Sequence, residues 1–242
     1  MKPLTAVILG ISAIICFAII GHSYKSHVTA MNTIVVTGMA EQDFVSDLIV
    51  WDGSYSRKSI DLKSTYTALK VDETTVRNYL NSKGISNNEM VFSSVTINKE
   101  YSPKLDKDGK NIGQDFTGYN LEQSVEIQSA NIDKIDKISR DATELIENGI
   151  EFNSATPAFY DTKLNEVKME LLGKASADAK ARAETIAKNA GSSLGNLKTA
   201  TMGVFQIRGK NINEDLSSGG AFNTSSKYKT GSITIKMEFD VN

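Results

Sequence analysis

The chain has 242 residues, 27 Lys and Arg against 29 Asp and Glu, a net charge of −2 and 40% hydrophobic residues. This fits one large or two small globular domains and excludes collagen, extended disorder and a disulfide scaffold. The near-neutral, interspersed charges supply no basic field for a phosphate backbone, so no nucleic-acid partner is expected.

The first segment is apolar. Leu4 to Ile20 carries no charge across seventeen positions, and as a helix it spans roughly 26 Å, close to a hydrocarbon core. A cleaved secretory signal and an uncleaved anchor both fit. The anchor is preferred because no clear Ala-x-Ala site follows Ile20. Cleavage would instead leave a soluble periplasmic protein. Lipidation of Cys16 is disfavoured, because Ile15 stands where a small residue is required. Lys2 before the segment weakly favours a cytoplasmic N-terminus and an exported body. The chain therefore divides into a membrane segment with its linker, 1–30, and a body, 31–242.

The body alternates strands and helices. Asn32 to Gly38 reads as a strand stopped by Gly, and Val45 to Arg57 as a second strand in which Gly53 suggests a bulge. Asp61 to Ser82 has helical apolar spacing with Lys83-Gly84 as its end signal. Met90 to Tyr101 is a strand, residues 102–118 a polar connection, and Tyr119 to Gln128 a strand with clean alternation and one wet face. Asn131 is placed to cap a helix with the stripe Ile132, Ile135, Ile138, Ala142, Leu145 and Ile146, and Ile150 to Pro157 is a short strand. Residues 45–157 thus run β-α-β-β-α-β, the ferredoxin-like order, with two helices on one face of an antiparallel sheet.

The longest helix is expected over Asp161 to Asn189. Ala175, Ala179, Ala183 and Ala187 form a ridge of small side chains on it. The ridge is read first as close packing on a sheet within one subunit, with a helix–helix interface between subunits as the alternative. Asn196 to Arg208 holds a strand, residues 209–231 a mobile loop, and Ser232 to Val241 a last, alternating strand. The fold class is α+β.

Candidate chemistry is sparse. The only Cys is Cys16 and the only His are His22 and His27. The chain beyond them lacks the side chains that dominate transition-metal binding and acid–base work near neutral pH, so no metal, cofactor or catalytic residue is assigned. Asp106 to Gly109 fails the calcium-loop pattern, since Lys110 takes a ligating position, and reads as a hairpin turn. Ser217-Ser218-Gly219-Gly220 lacks the Gly-Lys-Ser/Thr of a phosphate loop. Trp51 and Tyr55 offer an aromatic sheet face, either core or a candidate binding face.

Four segments in order resemble the SIMPL-domain family of bacterial envelope proteins: NTIVVTGMAE, GYNLEQSVEIQSANIDKIDKIS, GIEFNSATPAFYD and KASADAKARAETIAKNAGSSLG. The resemblance covers roughly residues 32–241. Where the family usually has Pro-Asp entering the second strand, this chain has Ser46-Asp47. The resemblance implies an exported α+β protein, sometimes assembled into large rings, with roles linked to envelope or oxidative stress and no catalytic residues to transfer.

The combined expectation is a non-enzymatic, homo-oligomeric scaffold in the envelope, held at the inner membrane by residues 4–20, with the body in the periplasm and an envelope protein as a further partner. The alternative is a module binding a small ligand or peptide through the face around Trp51 and Tyr55 or the loop 209–231. An enzyme working with Asp, Glu, Lys, Ser or Tyr is a third reading.

Overall fold

The computed structural model describes residues 10–12, 14–17, 19–20, 32–212 and 218–242. The described residues between 10 and 20 are helical, the rest of the expected anchor lies outside the described residues, and no described helix is long and apolar enough to cross a membrane.

In chain order the body contains β1 (Thr33–Val45), β2 (Leu48–Ser59), α1 (Leu62–Ser82), β3 (Met90–Phe92), β4 (Thr96–Leu105), β5 (Asn111–Ser129), α2 (Ile132–Asp141), β6 (Phe152–Ser154), β7 (Ala158–Tyr160), α3 (Leu164–Asn189), β8 (Leu194–Met202), β9 (Gln206–Gly209) and β10 (Tyr228–Val241). The strands make two antiparallel sheets, not the single one expected. A central sheet runs β3-β5-β2-β6, with β4 also on β5 and β7 also on β2. A terminal sheet runs β1-β10-β8, with β9 also on β10. The order β-α-β-β-α-β therefore describes the central sheet alone, while the first and last strands pair with each other.

Each sheet has its own core. On the central sheet, Ile49, Trp51 and Tyr55 of β2 and Leu121, Val125 and Ile127 of β5 meet Leu69, Val76 and Leu80 of α1 and Ile132, Ile135 and Ile138 of α2. Their alternation follows from the period of two along a strand with one buried face. On the terminal sheet, Val36 and Ala40 of β1 and Ile233, Ile235, Met237 and Phe239 of β10 pack against Leu171, Ala175, Ala179 and Ala183 of α3.

Local chemistry sets the helix ends. The Asp61 carboxylate accepts the Ser64 N–H at 2.8 Å, and Gly84, at φ 79°, lets the N–H of Ile85 return to the Leu80 carbonyl and close α1. Asn131 occupies the cap position of α2, but its side chain makes no capping hydrogen bond. Beyond Asp141 the chain tightens into a 3₁₀ segment over Ala142–Asn148. The smaller number of residues per turn swings Ile146 out of the expected stripe to 60% exposure, while Leu145 stays buried.

Three further expectations change. Gly38 lies in the middle of β1 and does not end it. Gly53 sits in regular register opposite Val125 and Ser154 with no bulge, because the Phe152 ring occupies the space of a side chain there. Residues 102–118 are not a polar connection; most of them extend β4 and β5 into one long hairpin.

The two sheets meet at a polar seam. The Asp47 carboxylate accepts the Thr162 N–H at 2.7 Å and the Thr162 hydroxyl at 2.6 Å, fixing the β1–β2 link to the start of α3. Burial pushes the Asp47 carboxyl up, but these hydrogen bonds outweigh it and hold it below its ordinary value. Lys229 of β10 is buried and donates to the carbonyl oxygens of Phe159 at 2.5 Å and Asn223 at 2.7 Å. Burial pulls its ammonium down and nearby Asp161 pushes it back up, with a net lowering.

One carboxylate in the short 3₁₀ turn Asn87–Glu89, just before β3, gives a pH signature. Glu89 accepts from the Ser129 hydroxyl at 2.6 Å and from the hydroxyl and N–H of Ser86. These bonds hold its carboxyl at about 2, against an ordinary 4.5. The folded value lies below the unfolded one, so the stabilisation is complete above pH 4.5 and is lost as pH falls through about 2. In Glu89→Gln the melting temperature is expected to fall at pH 7 and to depend less steeply on pH between 4.5 and 2 than in the parent.

Candidate functional site

The sequence singled out three places, and the structure closes two of them. Trp51 and Tyr55 lie in the central core, 0% and 2% exposed. Trp51 packs edge-on to Phe152 and donates its indole N–H to the Ser154 hydroxyl at 3.0 Å, while the Tyr55 hydroxyl donates to the Gln123 amide oxygen at 3.0 Å. Both aromatic side chains have their polar ends satisfied under the helices, so they form no outer binding face. The same burial raises the Tyr55 phenol, with the carboxylates of Glu73 and Asp72 adding to the shift.

The alanine ridge is likewise internal. Ala175, Ala179, Ala183 and Ala187 are all buried within the chain. Around Ala175 and Ala179 the approach is so close that a Cβ on Gly38 would stand 2.3 Å from the Ala175 carbonyl oxygen and 2.5 Å from the Ala179 nitrogen. The ridge therefore serves helix-on-strand packing in one subunit, and these four side chains are not available to a neighbouring helix.

The loop 209–231 is more ordered than expected where it is described. Ala221 N–H donates to the Gln206 side chain at 2.7 Å, and Asn223 N–H to the Ile207 carbonyl at 3.0 Å, so the returning chain is tied to β9. Beside it a groove of about 380 Å³ opens between Met39 and Glu41 of β1, Val204, and Gln206 and Arg208 of β9. Arg208 spends one nitrogen on Glu41 at 3.0 Å, which leaves the groove without a strong net charge. Ser217 lies outside the described residues, and among the described residues no group of three His, Cys, Asp or Glu is placed to hold a metal.

The hairpin turn read at Asp106 to Gly109 is present, and what the sequence reading missed is the length of the β4 and β5 strands on either side of it. The turn is built by Asp106, whose carboxylate accepts the N–H groups of Asp108 and Lys110 at 2.9 and 2.8 Å, with Gly109 at φ 78°. The carboxylate that a calcium loop would present is thus used inside the turn. β2 ends at Ser59 opposite Tyr119, so the outer part of the hairpin, about 20 Å from Glu100 to Leu105, continues as two strands alone.

This ribbon has two unlike faces. Register places Ile97 opposite Leu121, Tyr101 opposite Phe116 and, between and beyond them, Lys99 opposite Tyr119 and Pro103 opposite Gln114, on the side that the helices cover further in. Phe116 stands edge-on between Tyr101 and Tyr119, with ring centroids 5.7 and 5.1 Å away. No helix reaches this part, and Ile97, Tyr101, Leu105, Ile112 and Phe116 are between 39% and 59% exposed. The opposite side carries Asn98, Glu100, Ser102, Lys104 and Asp115, with Lys104 and Asp115 paired at 3.3 Å.

A family model described as SIMPL, protein of unknown function (DUF541), matches residues 34–241. The chain belongs to the SIMPL family. No curated protein matches it. The SIMPL match begins inside β1 and ends inside β10, so it takes in both sheets, and Asp47, the residue shared with the family's usual Pro-Asp pair, sits at the seam between them. Within this SIMPL domain the ribbon is a surface whose apolar side chains lack cover among the described residues.

Proposed function

We propose that this protein is a non-enzymatic scaffold of the bacterial envelope, tethered by residues 4–20 and assembled from copies of itself through the β4–β5 ribbon. The observation that carries the reading is the uncovered apolar face of that ribbon. An isolated two-stranded hairpin is marginal in water, and a cluster of exposed apolar and aromatic side chains on one face of it marks a contact surface. Residues 96–117 hold four Lys and four Asp or Glu, so the ribbon has no net charge to draw it to an anionic bilayer, and a protein surface is the better cover. The tether rests on the uncharged run from Leu4 to Ile20, and the non-enzymatic reading on the absence of His and Cys beyond His27.

The test is the mass of the detergent-extracted full chain by size exclusion with light scattering, alongside its intact mass. A discrete multimer of chains retaining Lys2 is expected. The double variant Tyr101→Ser, Leu105→Asn is expected to fall to smaller species while its melting temperature stays within a few degrees, since both side chains are exposed. A parent that is monomeric at every accessible concentration sinks the reading.

A further inference from the structure

The β1 edge of the terminal sheet is treated differently along its length. On β1, the Met39 N–H donates to the Asp178 carboxylate of α3 at 3.0 Å, and the Gln42 side chain bridges Glu170 and Lys174 of the same helix. The helix thus caps the outward Met39 N–H and is pinned to β1 at Gln42. Towards the N-terminal end of β1 it stands off, leaving a groove of about 540 Å³ between Val36 and Thr37 and the α3 flank of Ala181, Arg182, Thr185 and Ile186.

The backbone parity of β1 says what faces that opening. Val241 N–H donates to the Asn32 carbonyl at 3.1 Å, so Asn32, and every second residue after it, bonds towards β10. Met39 agrees, since its N–H is turned outward to Asp178. So does its opposite number Thr234, whose carbonyl accepts the Gly203 N–H at 2.8 Å on the far side of β10. Thr33, Val35 and Thr37 therefore present N–H and C=O groups away from the sheet, where no described residue meets them.

We infer that this edge is where a second copy of the chain adds its own β1, antiparallel, about a two-fold axis at Val35. The inference rests on the self-assembly reading and names a second contact for it, separate from the ribbon. The segment Thr33–Thr37 is TIVVT: five β-branched residues with no charge, no Pro and no Gly to protect the edge. An uncharged, β-branched strand suits the opening, whose lining sets Val36, Ala181 and Ile186 beside Thr37, Arg182 and Thr185. Pairing about Val35 sets Val35 against Val35 and Thr33 against Thr37 of the second copy, so all outward groups of the open stretch find partners. It stops short of Met39, where Asp178 caps the outward N–H. The two α3 flanks then lie side by side over the joined sheet, and each covers the groove of the other.

The test uses the full chain in detergent on a Cys16→Ser background, with Val35→Cys and Met39→Cys compared under mild oxidation. Directly opposed residues of a hydrogen-bonded antiparallel pair lie about 5.5 Å apart at Cα, within disulfide reach. Val35→Cys is expected to give a covalent dimer and Met39→Cys none. In parallel, Val35→Lys places two like charges face to face and is expected to cut the mass of the assembly about twofold. Val35 is 51% exposed in the single subunit, so the fold of each subunit, read by circular dichroism, should be unchanged. A multimer in which Val35→Cys stays reduced and Val35→Lys keeps the parent's mass overturns this edge and leaves the ribbon contact standing. A parent that is monomeric throughout overturns both.

Discussion

Gly38→Val should destabilise the protein by about 3 kcal/mol, lowering its melting temperature by roughly 10 °C. The cause is the approach of α3 to β1. A Cβ at Gly38 would meet the Ala175 carbonyl oxygen at 2.3 Å, the Ala179 nitrogen at 2.5 Å and the Ala179 Cβ at 2.7 Å. Two of these are backbone atoms in the middle of a 26-residue helix, so no rotamer change relieves the clash and the whole element must lift. Lifting it uncovers Ile235, Met237 and Phe239, which β10 buries against the same ridge. Gly173, on the exposed side of α3 with nothing within 4 Å of a built Cβ, provides the control. Gly173→Ala should raise the melting temperature, because Ala is favoured over Gly in a helix by about 0.8–1 kcal/mol. Thermal unfolding of both variants checks the pair, and equal effects would refute the packing argument.

Arg57→Met should cost about 2–3 kcal/mol, measured by chemical denaturation. Arg57 holds Asp72 with two hydrogen bonds, Nε to Oδ2 at 2.5 Å and Nη2 to Oδ1 at 2.7 Å, and donates a third to the Gly149 carbonyl at 3.0 Å. The Asp72 side chain is only 6% exposed, so truncating its partner leaves a buried carboxylate beside the central core. Breaking fully buried pairs costs roughly 3–5 kcal/mol; Arg57 is 37% exposed, so water reaches part of this pair and the figure is set lower. Removing both charges in Arg57→Met, Asp72→Leu should recover much of the loss, since the penalty lies in the unpaired charge and not in the absence of attraction. A double variant as unstable as the single one would assign the loss to packing instead.

How much of this was legible in the sequence depended on the range of the interaction. The alternation of Leu121, Val125 and Ile127, and of Ile233, Ile235, Met237 and Phe239, states directly which face is buried, because a strand with one wet side writes its burial at period two. The helical stripes of α1 and α2 read equally well until the 3₁₀ turn displaced Ile146. What failed was set by distant partners. Gly38 and Gly53 looked like a stop and a bulge, whereas one makes room for Ala175 and Ala179 and the other for Phe152.

The alanine ridge carried two meanings because small side chains suit a strand and a helix equally, and only the position of Gly38 separates them. The turn of the ribbon was legible at Asp106 to Gly109, but the reach of its two strands was overlooked because Gly, Lys and Asp dominate residues 102–118. The signal was nevertheless present: Tyr101, Leu105, Ile112 and Phe116 flank Asp108-Gly109, a hairpin dipeptide between spaced apolar residues. The choice between one sheet and two was beyond local pattern, since it depends on β1 pairing with a strand nearly two hundred residues later.

That pairing orders events in time. The central sheet is drawn from the continuous stretch between Leu48 and Tyr160 and forms from residues made early. The terminal sheet cannot form until the last strand has emerged, because β10 lies between β1 and both β8 and β9. Until then β1 and the alanine ridge wait with their apolar sides uncovered. The closing fourteen-residue strand is therefore expected to be among the last long-range pairings to form. A chain interrupted before Tyr228 keeps a helix-covered half and an open half, the form that proteases and chaperones distinguish from finished protein.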